Sequence, residues 1–334
     1  MKEARLLETW YGDRPPGVLL SALERVYAGV SARRRRAATP EPDLVGRPIV
    51  VVGNITVGGT GKTPLTIRLC ELLKQAGLRV AVISRGYGRD GSDPVRVTHA
   101  TPAALGGDEP VLVARRCAVP VYVDRNREAA ARAALGEGAE VVLSDDGLQR
   151  ASLPRVLELC VVDTSRGFGN GRLLPAGPLR EPAERLETVD WVIANGTEPL
   201  PDLPDALRSP PVRMCLAPIA FHRLDGDATV PVEDAPGRFA AALAAVAGMG
   251  NPERFFRTLE GLGLAGFDEH PFPDHHAFRA EDFTTLRGTV LMTEKDAVKC
   301  ADLPLNDAWA LRVEARLPGD WEAEFVARVR SLTS

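Results

Sequence analysis

The sequence lacks paired cysteines, a long uninterrupted apolar run and an excess of basic residues. Its five cysteines never occur at Cys-x-x-Cys spacing, so we expect reduced, mostly buried thiols rather than a zinc or redox site. No uncharged apolar run reaches the roughly 20 residues that cross a bilayer, and the first residues do not resemble a signal peptide. The net charge of −4 argues against general nucleic-acid binding. These absences favour a globular protein that is soluble or lies on a membrane surface.

The length and the proline distribution indicate two domains. A chain of 334 residues is too long for one ordinary core. Five prolines fall within residues 199–211, which is typical of a linker or boundary. We therefore predict an N-terminal segment over residues 1–40, a first domain over 41–211 and a smaller second domain over 212–334.

Short apolar runs rich in β-branched residues alternate with helical segments. Residues 49–52 predict a strand buried on both faces, and a helix is expected from about Pro64 to Gln75. Further strands are expected at 80–84, 139–145, 157–162 and 189–194. The alternation predicts an α/β fold with a parallel sheet covered on both faces. In the second domain, residues 212–224 and 229–232 predict a β-hairpin, and strands are expected at 239–247 and 289–292. Helices are expected from Pro252 to about Leu262 and over 321–330.

A glycine-rich loop between the first strand and helix carries the clearest chemical signal. Glycines let successive backbone N–H groups face phosphates, and the following helix N-terminus adds partial positive charge. Lys62 is expected to reach the β- and γ-phosphates, and the Thr63 hydroxyl to ligate magnesium. Thr56 stands where the general motif has its first glycine. The predicted nucleotide-binding residues are Thr56, Val57, Gly58, Gly59, Thr60, Gly61, Lys62 and Thr63.

An apolar strand that ends in acidic residues provides the second half of this pattern. Asp145 and Asp146 follow residues 141–144, and Gln149 lies in the same turn. A carboxylate at this point can hold magnesium or its waters beside the phosphate loop. The alternative for Asp146 is a turn or helix-capping role.

Transfer to a hydroxyl requires a base, and several polar residues could serve the transfer. Asp108 and Glu109 follow two glycines, although this pattern alone favours helix capping. Arg125, Arg127 and Arg180, with Glu181, could clamp phosphate or magnesium or form surface ion pairs. The adjacent His275 and His276 are a further polar site, which could bind metal only with additional ligands.

Several sequence blocks together resemble the tetraacyldisaccharide 4'-kinase family, the lipid A kinases of Gram-negative bacteria. The resemblance covers about residues 48–300 and rests on the phosphate loop and on blocks such as Ser-Arg-Gly-Tyr-Gly, Gly-Asp-Glu-Pro, Asp-Asp-Gly-Leu-Gln and Thr-Glu-Lys-Asp-Ala-Val-Lys. Thr56 is normal within this family. The implied fold is a P-loop NTPase-like α/β/α sandwich with a second, smaller α/β domain joined through a β-hairpin linker.

The resemblance also implies a reaction and a set of residue roles. ATP would phosphorylate the 4'-hydroxyl of a tetraacyldisaccharide 1-phosphate, a lipid A precursor, with Mg²⁺ as cofactor. Asp108 would be the base in a dyad with His275, whereas Asp145 and Glu181 would serve the metal. Asp146, Gln149, Arg180 and an arginine of the 125–127 stretch would lie near the transferring phosphate, and Lys62 would act in catalysis.

The N-terminal segment combines an apolar helical stripe with four consecutive arginines. The stripe spans residues 18–30 and precedes Arg33, Arg34, Arg35 and Arg36. Packing against its own protein would explain the stripe equally well. With the family resemblance, we expect peripheral, in-plane binding to the anionic cytoplasmic face of the bacterial inner membrane. No nucleic-acid partner and no obligate protein partner is indicated.

Two other P-loop classes compete with this interpretation. A regulatory or partitioning ATPase would carry an early lysine in the loop where this chain has Val57. A metal-delivery GTPase would require a Cys/His metal motif and an Asn-Lys-x-Asp sequence, and the chain shows neither. Residues 293–296 resemble the Asn-Lys-x-Asp sequence only superficially.

Overall fold

A computed structural model describes residues 2–200, 202–239 and 242–333, with side chains from residue 5 onward. The described α-helices are α1 (Lys2–Tyr11), α2 (Val18–Ala37), α3 (Lys62–Gln75), α4 (Ala103–Gly106), α5 (Asp108–Cys117), α6 (Arg127–Gly136), α7 (Ala235–Arg238), α8 (Pro252–Gly261), α9 (Glu294–Lys299) and α10 (Gly319–Thr333). The described strands are β1 (Ile49–Gly53), β2 (Val80–Ser84), β3 (Val95–Val97), β4 (Val121–Val123), β5 (Val141–Asp145), β6 (Leu157–Asp163), β7 (Trp191–Asn195), β8 (Val212–Arg223), β9 (Thr229–Pro231), β10 (Leu243–Ala247), β11 (Asp268–Pro271), β12 (Thr289–Thr293) and β13 (Ala308–Arg316).

The chain forms two compact units that are discontinuous in sequence. The first contains Met1–Arg85, Asn126–Cys215 and Arg316–Ser334, and the smaller second unit contains Gly86–Arg125 and Leu216–Ala315. These ranges differ from the predicted domains at 41–211 and 212–334. The difference arises because α5 packs beside α9, whereas α10 returns to α3 through the Arg68–Glu322 ion pair at 2.6 Å. Local sequence patterns do not report such long-range packing.

The first unit is built on a parallel sheet. Strands β7, β6, β1, β5 and β2 are neighbours in that order, and residues 212–214 of β8 extend it beside β7. All five residues of β1 are buried, as expected for a strand covered on both faces. Val52 lies opposite Asp145, so the carboxyl ends of β1 and β5 meet at one edge. This register confirms the predicted α/β fold class and positions the site described below.

The second unit has its own, mostly parallel sheet. Strands β11, β10, β12 and β13 are successive parallel neighbours, and β8 follows β13. The predicted hairpin is confirmed, since β8 and β9 pair antiparallel. The predicted strand at 239–247 is shorter and begins at Leu243; residues 240 and 241 lie outside the described chain. A core around Phe221, Phe239 and Trp309 supports the sheet.

Candidate active site

The phosphate loop joins β1 to α3 and depends on two glycines with positive φ. Gly58 has φ 109°, and Gly61 has φ 93° at the position that caps α3. Such angles are costly for residues with a Cβ atom. The helix begins at Lys62, two residues before the predicted start at Pro64, so its first turn includes the loop lysine. The N-terminus of α3 therefore lies at the end of the loop, where its dipole favours an anion.

One backbone and one side-chain hydrogen bond anchor the two ends of the loop. The Val57 N–H donates to the Pro178 carbonyl at 2.9 Å, so this amide is already engaged within the protein. Buried Asn195 donates through Nδ2 to the Thr60 carbonyl at 2.9 Å. The Thr60 hydroxyl is buried and has no hydrogen-bond partner among the described residues. These two hydrogen bonds hold the loop against the segment that contains Pro178 and against the end of β7.

Lys62 and Arg180 bring positive charge to a single carboxylate, Asp146, beside the loop. Lys62 Nζ donates to Asn54 Oδ1 at 3.2 Å and lies 3.6 Å from Asp146 Oδ1. Asp146 also accepts from Arg180 Nη1 at 3.2 Å. Burial would raise the pKa of Asp146, but the charges of Lys62 and Arg180 outweigh it and lower the pKa to about 2. Asp146 is therefore an ionised carboxylate at neutral pH.

Asp145 ends β5 and is almost completely buried. Its Oδ1 accepts the Thr66 hydroxyl from α3 at 3.2 Å, which ties the strand end to the helix behind the loop. Thr63 lies half-buried one turn earlier on the same helix. Asp145 therefore lies at the carboxyl edge of the sheet, bonded to the helix that carries Thr63, and a shared metal role for Thr63 and Asp145 stays a prediction.

Gln149, Arg180 and Glu181 form a connected polar group next to Asn54. Gln149 Nε2 donates to the Asn54 carbonyl at 2.8 Å and to Glu181 Oε1 at 3.0 Å, and its Oε1 accepts from Arg180 at 3.3 Å. Buried Glu181 also pairs with Arg35 of α2 at 3.3 Å. Both oxygens of this predicted metal ligand are thus already engaged by protein donors.

The two arginines of the 125–127 stretch have different environments. Arg127 is buried at the start of α6, and its Nη2 donates to the Asp145 carbonyl at 3.4 Å. Burial lowers the pKa of Arg127 to about 10, against the opposing charges of Asp145 and Asp146. Arg125 is exposed and belongs to the second unit. Within the first unit, Arg127 is therefore the arginine of this stretch that lies next to the acidic pair.

The second unit joins Asp108 and His275, which are 167 residues apart in sequence. Asp108 begins α5 after Gly107, which has φ 86°, and is 6% exposed. His275 Nδ1 lies 3.1 Å from Asp108 Oδ2, and the imidazole packs against the Tyr87 ring at 4.7 Å. Burial would raise the pKa of Asp108, but the His275 hydrogen bond and Lys295 lower it overall. The same hydrogen bond raises the pKa of His275 despite burial.

His276, the neighbouring histidine, does not join this pair. Its Nε2 lies 2.9 Å from Asp282 Oδ2, and its ring packs on Phe272 at 4.7 Å. Across residues 2–200, 202–239 and 242–333 no group of three or more His, Cys, Asp or Glu side chains is arranged to hold a metal ion. Among these described residues, no further side chains are placed to complete a metal site with His275 and His276.

Several contacting residues were not among the predicted site residues. Asn54 and Thr66 hold Lys62 and Asp145, and Lys295 contacts Asp108 and Glu109. Arg166 Nη1 lies 3.7 Å from the place where a Cβ on Gly58 would stand. Asn54 and Lys295 had a sequence signal, because each lies in a block that carries the family resemblance, whereas Thr66 and Arg166 lie outside those blocks.

The sequence of this chain is similar to one family of known proteins over nearly its whole length. A profile of the tetraacyldisaccharide-1-P 4'-kinase family matches residues 17–330. The chain is 47% identical to the tetraacyldisaccharide 4'-kinase of Dechloromonas aromatica (strain RCB), with 93% of each chain covered, and 45% identical to that of Pseudomonas aeruginosa (strain LESB58), with 98% of each covered.

A solved structure extends the comparison to the fold. The crystal structure of the "apo" form of LpxK from Aquifex aeolicus in complex with ATP matches with a TM-score of 0.75 and 26% identity, covering 92% of this chain and 97% of that one. The strand–loop–helix geometry, the acidic strand end and the near-complete sequence match lead to one conclusion: this chain belongs to the tetraacyldisaccharide 4'-kinase family.

Proposed function

We propose that this chain transfers the γ-phosphoryl group of ATP to the 4'-hydroxyl of a tetraacyldisaccharide 1-phosphate precursor of lipid A. The observation that carries the proposal is the position of Lys62 at the start of α3, 3.6 Å from Asp146 and next to a preformed phosphate loop. Family membership supports the acceptor. The described part of the chain has no helix that is long and apolar enough to span a bilayer.

The first unit supplies the donor site. Phosphoryl transfer requires charge neutralisation and alignment more than covalent chemistry from the protein. Lys62 would exchange its contact with Asp146 for the β- and γ-phosphates, and the amides of residues 58–61 would bind the phosphate oxygens. Arg180 and Arg127 are the nearby cations that would bind the charge developing on the transferred group.

The oxygen donors beside the loop fit a magnesium ion. Magnesium in phosphotransferases takes one or two carboxylates together with phosphates and water rather than an all-protein cage. Asp145, Asp146 and the Thr63 hydroxyl provide such a set, whereas Glu181 would first have to release Arg35 or Gln149. When bound, the ion would neutralise charge on the β- and γ-phosphate oxygens.

The second unit supplies the base. The depressed pKa of Asp108 keeps it ionised at neutral pH, so it can accept the proton of the 4'-hydroxyl. The hydroxyl oxygen forms the new bond to the γ-phosphorus, the bond to the β-phosphate oxygen breaks, and ADP leaves with the bond's electron pair. His275, bound to the same carboxylate, orients Asp108 and stabilises the proton once it has been transferred.

Helix α2 presents a surface suited to the membrane in which the lipid acceptor resides. Val18 is 89% exposed, Leu19 72% and Val26 63%, although all three are apolar. Arg33, Arg34 and Arg36 are exposed at the end of the helix, whereas Arg35 pairs with Glu181. Exposed apolar and basic side chains on one helix favour in-plane binding to anionic lipid.

A transfer assay with purified protein tests the proposal. Radiolabel from γ-labelled ATP should appear in a tetraacyldisaccharide 1-phosphate acceptor in detergent. Asp108→Asn should lower kcat by about 100-fold or more with little change in ATP affinity, as expected for a general base. Lys62→Met should abolish transfer and weaken ATP binding. Asp302→Asn, at an exposed carboxylate of the same unit as Asp108, is the matched control.

Two results would contradict the proposal. Label that appears only as inorganic phosphate would favour the regulatory ATPase alternative. An Asp108→Asn variant with wild-type kcat would remove the base from the mechanism.

A further inference from the structure

Lys295 occupies a fixed position at the start of α9. Thr293 caps this helix by accepting the Asp296 N–H at 3.2 Å, so the chain turns directly from β12 into the helix. The Lys295 side chain is only 19% exposed. A lysine held this firmly and this far from solvent requires compensating anions.

The Lys295 ammonium closes a ring of polar contacts around the Asp108–His275 pair. Its Nζ lies 3.7 Å from Asp108 Oδ2 and 3.2 Å from Asp274 Oδ1. His275 contacts the same two carboxylates, with Nδ1 3.1 Å from Asp108 Oδ2 and Nε2 3.8 Å from Asp274 Oδ2. Glu109 adds a third carboxylate at 3.2 Å from Nζ. The cation and the imidazole therefore converge on the same oxygen of Asp108.

The three carboxylates in this ring can all be ionised because the Lys295 ammonium lies among them. Asp108, Glu109 and Asp274 would repel one another without it, and two like charges sharing a site raise the pKa of one carboxyl. The remaining facing group is Lys299, whose more distant charge also lowers the pKa of Asp108. Burial would lower the pKa of Lys295, yet the three carboxylates raise it, so the ammonium remains charged.

We propose that Lys295 is a positioning residue of the phosphoryl-transfer site, holding Asp108 ionised and oriented toward His275. This inference rests on the proposed role of Asp108 as the base. Lys295 neither accepts the proton nor contacts the transferred phosphate in this assignment. It acts through Asp108, whose Oδ1 is separately fixed by the Glu109 N–H at 2.9 Å.

A purely structural role is the competing explanation, because Lys295 joins α9 to α5. The chain offers a matched control for that role. Arg116 of α5 and Glu294 of α9 form a second ion pair between the same helices at 2.7 Å. No contact in the described structure links Glu294 to Asp108 or His275. Glu294→Gln therefore weakens the helix contact without altering the ring.

The test compares Lys295→Met, Lys295→Arg and Glu294→Gln in the full-length enzyme. The readouts are kcat against pH and the pKa of His275 from its imidazole proton resonance. In Lys295→Met the pKa values of Asp108 and His275 should rise by about one unit, because an opposite charge lowers a carboxyl pKa by 1–3 units and a like charge disfavours imidazolium. The acidic limb of kcat should move to higher pH. At pH 7, where Asp108 stays ionised, kcat should fall about 10-fold because the carboxylate loses its fixed orientation. Lys295→Arg should restore both, and Glu294→Gln should change neither.

Glu109→Gln provides a second route if Lys295→Met does not fold. Glu109 contacts Lys295 but has no described contact with His275. Removing the Glu109 charge leaves the Lys295 ammonium less neutralised, and this positive charge should lower the pKa of His275. If Lys295→Met folds, an unchanged His275 pKa in that variant would overturn the role of Lys295. If Lys295→Met does not fold, an unchanged His275 pKa in Glu109→Gln would overturn it instead. That result would leave Asp108 as the base, whereas wild-type kcat in Asp108→Asn would overturn the proposed function itself.

Discussion

Gly61 offers a strict test of how the phosphate loop is built. A Cβ on Gly61 would overlap Asn195 Nδ2 and lie 3.4 Å from the Met214 methyl, in a backbone with φ 93°. At Gly59, in the same loop, a Cβ would meet no atom within 4 Å and the φ is not in the positive range. Gly61→Ala therefore adds a methyl group where the backbone angle and the neighbouring atoms both oppose it, whereas Gly59→Ala adds the same group in open space.

The expected cost at Gly61 has two parts. Left-handed backbone costs a residue with a Cβ about 1–2 kcal/mol. Displacing Asn195 loses its 2.9 Å hydrogen bond to the Thr60 carbonyl, which contributes about 1 kcal/mol. We expect Gly61→Ala to lower the free energy of unfolding of the first unit by about 2–3 kcal/mol. Gly59→Ala should remain within about 0.5 kcal/mol of wild type, as at most open surface positions.

Hydrogen exchange of the nucleotide-free protein measures this difference within one unit. Two to three kcal/mol corresponds to roughly 30- to 150-fold faster exchange of the slowest amides in α3, because about 1.4 kcal/mol is tenfold in an equilibrium constant. Mass spectrometry of a peptide spanning residues 62–75 reports it. Equal protection in the two variants would refute the argument that the angle of Gly61 and its contact with Asn195 define the loop.

Two further predictions concern pH and lipid binding. Burial would raise the pKa of Glu128, but hydrogen bonds from Arg150 and Ser152 lower it to about 2. This stabilisation is complete above the unfolded pKa of about 4.5 and is lost as pH falls toward 2, so Glu128→Gln should flatten the acid dependence of thermal stability between those values. A double variant, Leu19→Ser with Val26→Ser, should lower sedimentation with phosphatidylglycerol vesicles at least about 10-fold. Each apolar side chain buried in the lipid contributes about 1.5–3 kcal/mol to binding. Leu332→Ser, at an exposed leucine of α10, is the control.

An acid profile of Glu128→Gln that is as steep as the wild-type profile would show that this carboxylate is not a source of the pH dependence. Vesicle binding that persists after both serine substitutions in α2 would move the lipid contact to another surface.

Elements whose signals are local could be predicted from the sequence alone. The β1 strand, the loop and α3 follow from a continuous pattern of apolar residues, glycines and Lys62-Thr63, and the structure moved the helix start by only two residues. The β8–β9 hairpin was likewise visible, because its turn residues lie between two alternating runs.

Contacts between residues that are distant in sequence depend on how the elements pack. Asp108 and His275 lie 167 residues apart, and no periodicity in either segment reports the 3.1 Å contact between them; only the family resemblance anticipated the pair. Lys295 was missed because the role that we propose for it depends on three carboxylates gathered from two separate segments. The two compact units were also hidden, since packing of α5 beside α9 and return of α10 to α3 are long-range contacts. Local patterns specify elements, whereas burial of the faces of those elements against one another selects the partners.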